Sequence, residues 1–307
     1  MRYRSIYAFV VLFAHAVLLS SCISKVPDCR DDRKVIFSAV IGNANKAAVS
    51  EGLAYPEDRP FAVWAYELPA TTDWDSSASF ASSVIEGEQT RYHNGHWCTD
   101  REHLWPEETK MLNFFAYSPA ASRAYFSLEQ GVVFEDFRLD DDAEFMCSIP
   151  INDARRPDID ATVNMVFRSP LCEIEIYAYS SATDGAEIFV NDVELVDIAT
   201  VADFHSLPKP TWDKIGEKKS ICVFNGKYSL SEKTSLLKSE LKIIPQDIRV
   251  RVRYSFKNQG SGNLEYREAT LTPGAFMRPV AGAVRSYVLK ITQETVEIVN
   301  PTEGYED

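Results

Sequence analysis

Between Ile244 and Lys257 the chain reads IPQDIRVRVRYSFK, in which Ile248, Val250, Val252, Tyr254 and Phe256 alternate with Arg249, Arg251, Arg253 and Lys257. Successive side chains of a β-strand point to opposite faces, so this spacing builds one dry face and one wet face, whereas a helix would scatter both classes around its axis. A chain holding such a strand must supply a second layer to cover the dry face. The arginine row reads as a solvated face opposite acidic neighbours, with a binding stripe as the other reading.

Period-2 patterns recur along the chain. VIFSAVI (Val35 to Ile41), FAVWAYEL (Phe61 to Leu68), MLNFFAYSP (Met111 to Pro119), ATVNMVF (Ala161 to Phe167), LCEIEIYAY (Leu171 to Tyr179) and EIFVNDVELV (Glu187 to Val196) all read as strands bounded by turn residues. Fourteen Tyr and 17 Phe suit half-buried pleated surfaces. Only SEKTSLLKSEL, Ser231 to Leu241, offers helical spacing. The expectation is a mostly β protein of antiparallel sandwiches. Its 307 residues suit two domains, with the seam in the polar stretch Ile151 to Asp160. At the C-terminus, SYVLKIT (Ser286 to Thr292) and TVEIV (Thr295 to Val299) put their apolar residues on opposite parities, which predicts a bulge or kink near Gln293 and Glu294.

The N-terminus carries an export signal: Arg2 and Arg4, then a nearly unbroken apolar run from Ile6 to Leu19. That run is shorter than the roughly 20 residues a spanning helix needs. It ends in Leu19-Ser20-Ser21-Cys22, which resembles a bacterial lipobox and predicts a lipid on Cys22. Residues 23–34 are polar and read as a tether. The five further cysteines are scattered and predict at most an incidental bridge. A formal charge of −13 argues against nucleic acid as a partner.

Three of the five histidines fall in RYHNGHWCTDREH, and His93, His96, Cys98 and His103 are zinc-type ligands in kind. Asn94-Gly95, however, is a strong type I′ hairpin signal. The histidines would then decorate an exposed tip, and no metal is expected. The sequence holds no G-x-S-x-G, no H-E-x-x-H and no phosphate-cradling glycine loop. Asp140-Asp141-Asp142 lacks the alternating spacing of a calcium loop and reads as a solvated turn. No catalytic residue, enzyme activity or cofactor is expected.

Several stretches together resemble the Bacteroidetes fimbrillins, lipoprotein precursors of type V pili. They are FSAVIGNANKA (Phe37 to Ala47), YPEDRPFAVWAYELP (Tyr55 to Pro69), HNGHWCTDREHLWPEETKMLNFFAYSP (His93 to Pro119), DDAEFMCSIPI (Asp141 to Ile151), VNMVFRSPLCEIEIYA (Val163 to Ala178) and LKIIPQDIRVRVRY (Leu241 to Tyr254). The pattern departs from the family at Arg168-Ser169-Pro170-Leu171 and in PGAFMRPVAGAVRSY, which lacks a tryptophan before its glycine.

The resemblance implies a lipoprotein signal peptide over 1–21, a tether over 22–34 and two transthyretin-like β-sandwich domains over 35–157 and 158–307. It implies an outer-membrane lipid anchor, exposure at the cell surface, and partners that are other fimbrial subunits joined by donor-strand insertion. It further implies cleavage between Lys46 and Ala47, which would free VIFSAVI as an edge-forming, replaceable segment. An uncut subunit is the plainer alternative. The C-terminal pieces would be either a tail able to swing out as a donor or two ordinary strands. The rival function is a non-polymerising surface lipoprotein that binds a glycan or a host protein, with Trp64, Trp74 or Trp97 lining a shallow site.

Overall fold

The computed structural model describes residues 33–42, 53–156, 162–260 and 262–299. Among the described residues strand takes 59% and helix 6%, so the mostly β expectation holds. The first eleven strands are β1 (Ile36–Ile41), β2 (Leu53–Ala54), β3 (Ala62–Pro69), β4 (Ser82–His93), β5 (His96–Thr99), β6 (Lys110–Ser118), β7 (Tyr125–Ser127), β8 (Gly131–Arg138), β9 (Met146–Ser148), β10 (Ile151–Ala154) and β11 (Thr162–Arg168). One sheet runs β10-β6-β3-β4-β5-β1-β11-β9, with β2 on β1, and it closes because β9 also pairs β6.

The ring is filled by Phe37, Tyr55, Phe61, Val63, Trp97, Phe114, Met165 and Phe167. Its outer side is covered where β3 and β6 meet a second core of Trp64, Phe115, Tyr117, Phe134, Phe137, Phe145 and Phe204. β3 and β6 are thus buried on both faces. That accounts for the unbroken burial of the mostly apolar run MLNFFAYS, where a half-exposed strand would alternate.

The remaining strands are β12 (Cys172–Ser180), β13 (Glu187–Ala199), β14 (Val201–His205), β15 (Thr211–Asp213), β16 (Lys218–Leu230), β17 (Ser235–Ile243), β18 (Arg249–Lys257), β19 (Glu265–Leu271), β20 (Val284–Ile291) and β21 (Val296–Val299). They form sheets β17-β12-β20-β21 and β16-β13-β18-β19, while β15 and β14 join β8 and β7 in a third. The first two share a core: Ile174, Ile176, Tyr287 and Leu289 from one meet Val190, Val193, Val250, Val252 and Tyr254 from the other. On β18 the opposite face is paired as expected. Arg249 meets Asp197, Arg251 meets Glu194, and Arg253 reaches Asp192 at 3.0 Å and Glu268 at 2.8 Å.

Four expectations need correction. The sheets are mixed rather than purely antiparallel, since β1 lies parallel to β11 and β12 parallel to β20. Parallel neighbours need a long crossover, and here the intervening chain builds whole sheets. Ser231 to Leu241 is no helix: β17 pairs β12 with an irregular register, and Glu240 adopts φ +56°. Ladder pairing and the partial burial of Leu237 and Leu241 override local propensity. The C-terminal pieces form a hairpin rather than a kinked strand, with Leu289 opposite Ile298 and Ile291 opposite Val296. Reversing the chain puts both parities on one core. Finally, Asp140 to Asp142 lie in a one-turn helix, α2 (Leu139–Asp142), the counterpart of α1 (Trp74–Ser77). Asp142 there accepts from the Arg138 amide at 2.8 Å and from Arg123 at 3.1 Å.

Candidate functional site

β1 is the segment on which the sequence argument turns, and it lies inside the sheet rather than at an edge. Six consecutive residues, Ile36 to Ile41, run parallel to Thr162 to Phe167 of β11. On its other side Phe37 stands opposite Trp97 of β5, and Val40 and Ile41 stand opposite Ala54 and Leu53 of β2. The approach to the strand is held too. The Val35 amide donates to the His103 carbonyl at 2.8 Å, the Trp105 amide donates to the Arg33 carbonyl at 2.9 Å, and Lys34 pairs Glu102 at 2.7 Å. An edge position was expected because a local reading sees no partner for β1; both main neighbours lie far along the chain.

Burial along β1 is graded. Val35 and Phe37 point into the ring, and Phe37 is fully enclosed, edge-on to Phe61 and Phe114 at 6.2 and 5.8 Å between centroids. Ile36 points the other way and packs on Cys98. From Ser38 to Ile41 the side chains are half-buried, and Ser38 shares a hydrogen bond with Asn164. The strand is anchored most firmly at its N-terminal end and least at the end that leads toward Lys46. Lys46 and Ala47, like Cys22, lie outside the described residues.

The histidine-rich hairpin forms as the Asn94-Gly95 signal requires. Both turn residues have positive φ, 51° and 90°, and His93 faces His96 across β4 and β5. The four zinc-type residues do not converge. His103 is paired with Glu88 at 3.0 Å, His93 contacts Asn94 at 3.0 Å, and Cys98 is held in a disulfide. Among the described residues no cluster of three or more His, Cys, Asp or Glu side chains could hold a metal. The bridge at Cys98 lies within the expectation of at most an incidental one. Which cysteine would carry it was not legible, because a disulfide partner is fixed by the fold and not by spacing.

The aromatics offered for glycan stacking are core residues. Trp64, Trp74 and Trp97 are 8, 3 and 3% exposed, and Trp64 packs against Tyr117 and Phe126. The shallow site they were to line does not exist as drawn.

A cleft of about 810 Å³ lies between α2 and strands β16 and β17, where Lys219 pairs Asp140 at 2.5 Å and Lys242 pairs Glu144 at 3.1 Å. The hydrogen bond from Lys242 holds the Glu144 carboxyl below its usual range. These ion pairs tie the cleft walls together. A more apolar groove of about 410 Å³, lined by Trp105, Ile149, Ile151, Val163 and Val166, runs beside β11.

No family model matches the chain, and no curated protein matches it in sequence. The fold resembles that of a fimbrial protein from Bacteroides vulgatus. The superposition has a TM-score of 0.59 at 15% identity and covers 87% of this chain and 98% of that one. Looser matches are candidate cell adhesion proteins from Bacteroides ovatus (TM-score 0.47, 13% identity, 88% and 96% covered) and Bacteroides uniformis (TM-score 0.43, 15% identity, 86% and 95% covered).

Proposed function

We propose that this chain is a structural subunit of a cell-surface fimbrium, held to the outer membrane as a precursor by a lipid on Cys22, and assembled by strand exchange after a cut between Lys46 and Ala47. Its two halves are read as transthyretin-like units. The observation that carries the proposal is the seating of β1, a short segment whose loss would empty a slot between two strands. The fold shared with the Bacteroides vulgatus fimbrial protein supports the same class of role.

An emptied slot would bare the aromatic floor of Phe61, Phe114 and Phe167 and leave β11 without its parallel partner along six residues. Exposed apolar surface costs about 25 cal/mol per Å², and unpaired backbone groups add to that. A strand from a sibling subunit removes both penalties. Its residues must alternate as β1 does, with a bulky ring where Phe37 stands and small or aliphatic groups at the following inward positions.

The test is brief trypsin treatment of the soluble chain from residue 23, followed by gel analysis beside an untreated sample. SDS-resistant ladders are expected after cleavage near Lys46, scored with and without a reductant present during assembly. A cleaved protein that stays monomeric at high concentration both with and without reductant, or binds a glycan array as a monomer, would sink the proposal. With Trp64, Trp74 and Trp97 buried, the rival glycan-binding reading has lost its stacking platform.

A further inference from the structure

Cys98 is disulfide-bonded, whereas Cys147, Cys172 and Cys222 are free. The sequence has six cysteines, so within the chain the second sulfur belongs to Cys22 or Cys29, and both precede β1. We infer that Cys98 is bridged to Cys29, so that a covalent link ties the chain on the N-terminal side of β1 to β5, the strand beside it. The choice of Cys29 over Cys22 rests on the lipoprotein reading, because a thioether sulfur cannot join a disulfide. The existence of a latch ahead of β1 does not depend on that reading.

The surrounding geometry suits the link. Cys98 is 5% exposed and packs on Ile36. The backbone bonds Trp105 to Arg33 and Val35 to His103 lay residues 33–35 along residues 103–105, a few positions beyond β5. Cys29 stands four residues before Arg33, a reach of up to about 13 Å at ~3.3 Å per extended residue.

The consequence concerns what a cut at Lys46 achieves. Cleavage there severs the peptide link after β1 but leaves the fragment attached through sulfur. A tethered strand competes with any incoming strand at an effective concentration in the millimolar range, so its own slot stays filled. Release takes a second event. One route is reduction: a dithiol thiolate attacks one sulfur to form a mixed disulfide, and its second thiolate resolves it. Two cysteine thiols and one oxidised dithiol result. Burial of Cys98 hinders attack at its sulfur. The other route is a second cut between Cys29 and Ile36, where Arg30, Arg33 and Lys34 are the basic residues.

The experiment uses the full chain made in an oxidising compartment, with the recognition sequence of a site-specific protease substituted within residues 43–50. After cleavage and alkylation of free thiols, the sample is run in SDS with and without reductant. The N-terminal fragment is expected to travel with the body until reductant is added, and peptide mass mapping is expected to find a Cys29–Cys98 linked peptide. Cys29→Ser and Cys98→Ser should each free the fragment in SDS without reductant. Should Cys98→Ser fail to fold, Cys29→Ser alone carries the test. A fragment that separates without reductant, or a map that joins Cys98 to any other cysteine, overturns the inference. Ladder formation is scored separately: its absence both with and without reductant would count against the fimbrial proposal and leave the bridge standing.

Discussion

Replacing Phe37 with alanine probes how far β1 is a load on the fold and how far a removable part. The ring is wholly enclosed and meets Phe61 and Phe114 edge-on. Truncating a buried phenylalanine costs about 3–5 kcal/mol, cavity included. Val40→Ala on the same strand is the internal control: Val40 is half-buried, and losing part of two methyl groups costs about 1 kcal/mol or less. With a urea dependence of about 2 kcal/mol per molar, the midpoint for the closed sheet should fall by about 2 M for Phe37→Ala and by about 0.5 M for Val40→Ala. Urea titration followed by the fluorescence of buried Trp64, Trp97 and Trp105 reads both. A labelled peptide of residues 35–42 should also enter Phe37→Ala faster than the parent, because the resident strand holds its slot less tightly. Equal midpoints for the two variants, or unchanged peptide uptake, would refute the claim that Phe37 is what seats β1.

Other outcomes follow from single contacts. Gly131→Ala should destabilise strongly, since φ is +69° and an added Cβ would lie 2.3 Å from Ser206 Oγ; Gly95→Ala, with open space around it, should lose only about 1 kcal/mol from backbone strain, and thermal melts would rank them. Among the free cysteines of the described residues, the exposed Cys222 should react with a thiol reagent quickly and Cys222→Ser should abolish that phase; burial pushes Cys147 up to about 12 and Cys172 to about 11, leaving about one thiolate in 10⁴ at Cys147 at pH 8. Glu144, held low by the Lys242 hydrogen bond, lends stability that is present above the unfolded carboxyl value of about 4.3 and is lost as pH falls through the folded value. Its exposed setting limits this to about 1 kcal/mol, and Glu144→Gln should flatten that part of the acid limb.

What could be read in advance was whatever lies in local spacing. The alternation in IPQDIRVRVRYSFK and the Asn94-Gly95 turn state their own faces, because pleat and turn geometry act over a few residues. β1 was legible as a strand, but its place was not, since its ladder is made with residues more than a hundred positions away. The parallel seat of β20 was hidden by a similar distance, and the ring closure through β9 and β6 by a shorter one that still lies beyond any local pattern. At Ser231 to Leu241 the leucine spacing fitted a helix equally well, and only the presence of β12 decided for a strand. Candidate site residues fared differently: the zinc-type set was convincing in composition and failed in space, where His103 turns to Glu88 and Cys98 to a second sulfur.

The C-terminal hairpin limits what this subunit could lend to a neighbour. β20 runs parallel to β12 over eight residues, Tyr287, Leu289 and Ile291 are fully buried, and the Tyr287 hydroxyl donates to the Met277 carbonyl at 2.7 Å. Pulling β20 away would open the core shared by two sheets. β21 has one ladder, four residues long, and buries only Val296 completely while Ile298 is half-covered. A lent tail therefore begins no earlier than the turn at Thr292 to Thr295. Ending the chain after Glu294 should cost about 2–3 kcal/mol, the burial of one valine and half an isoleucine, and leave a folded body. Leu289→Ala, in contrast, should cost about 2–5 kcal/mol with no residue of β21 removed. Amide hydrogen exchange on β12 separates the cases: protection should survive the truncation and fall with Leu289→Ala. If the truncation strips protection from β12 as thoroughly, β21 is part of the sandwich's foundation and cannot be given to another subunit.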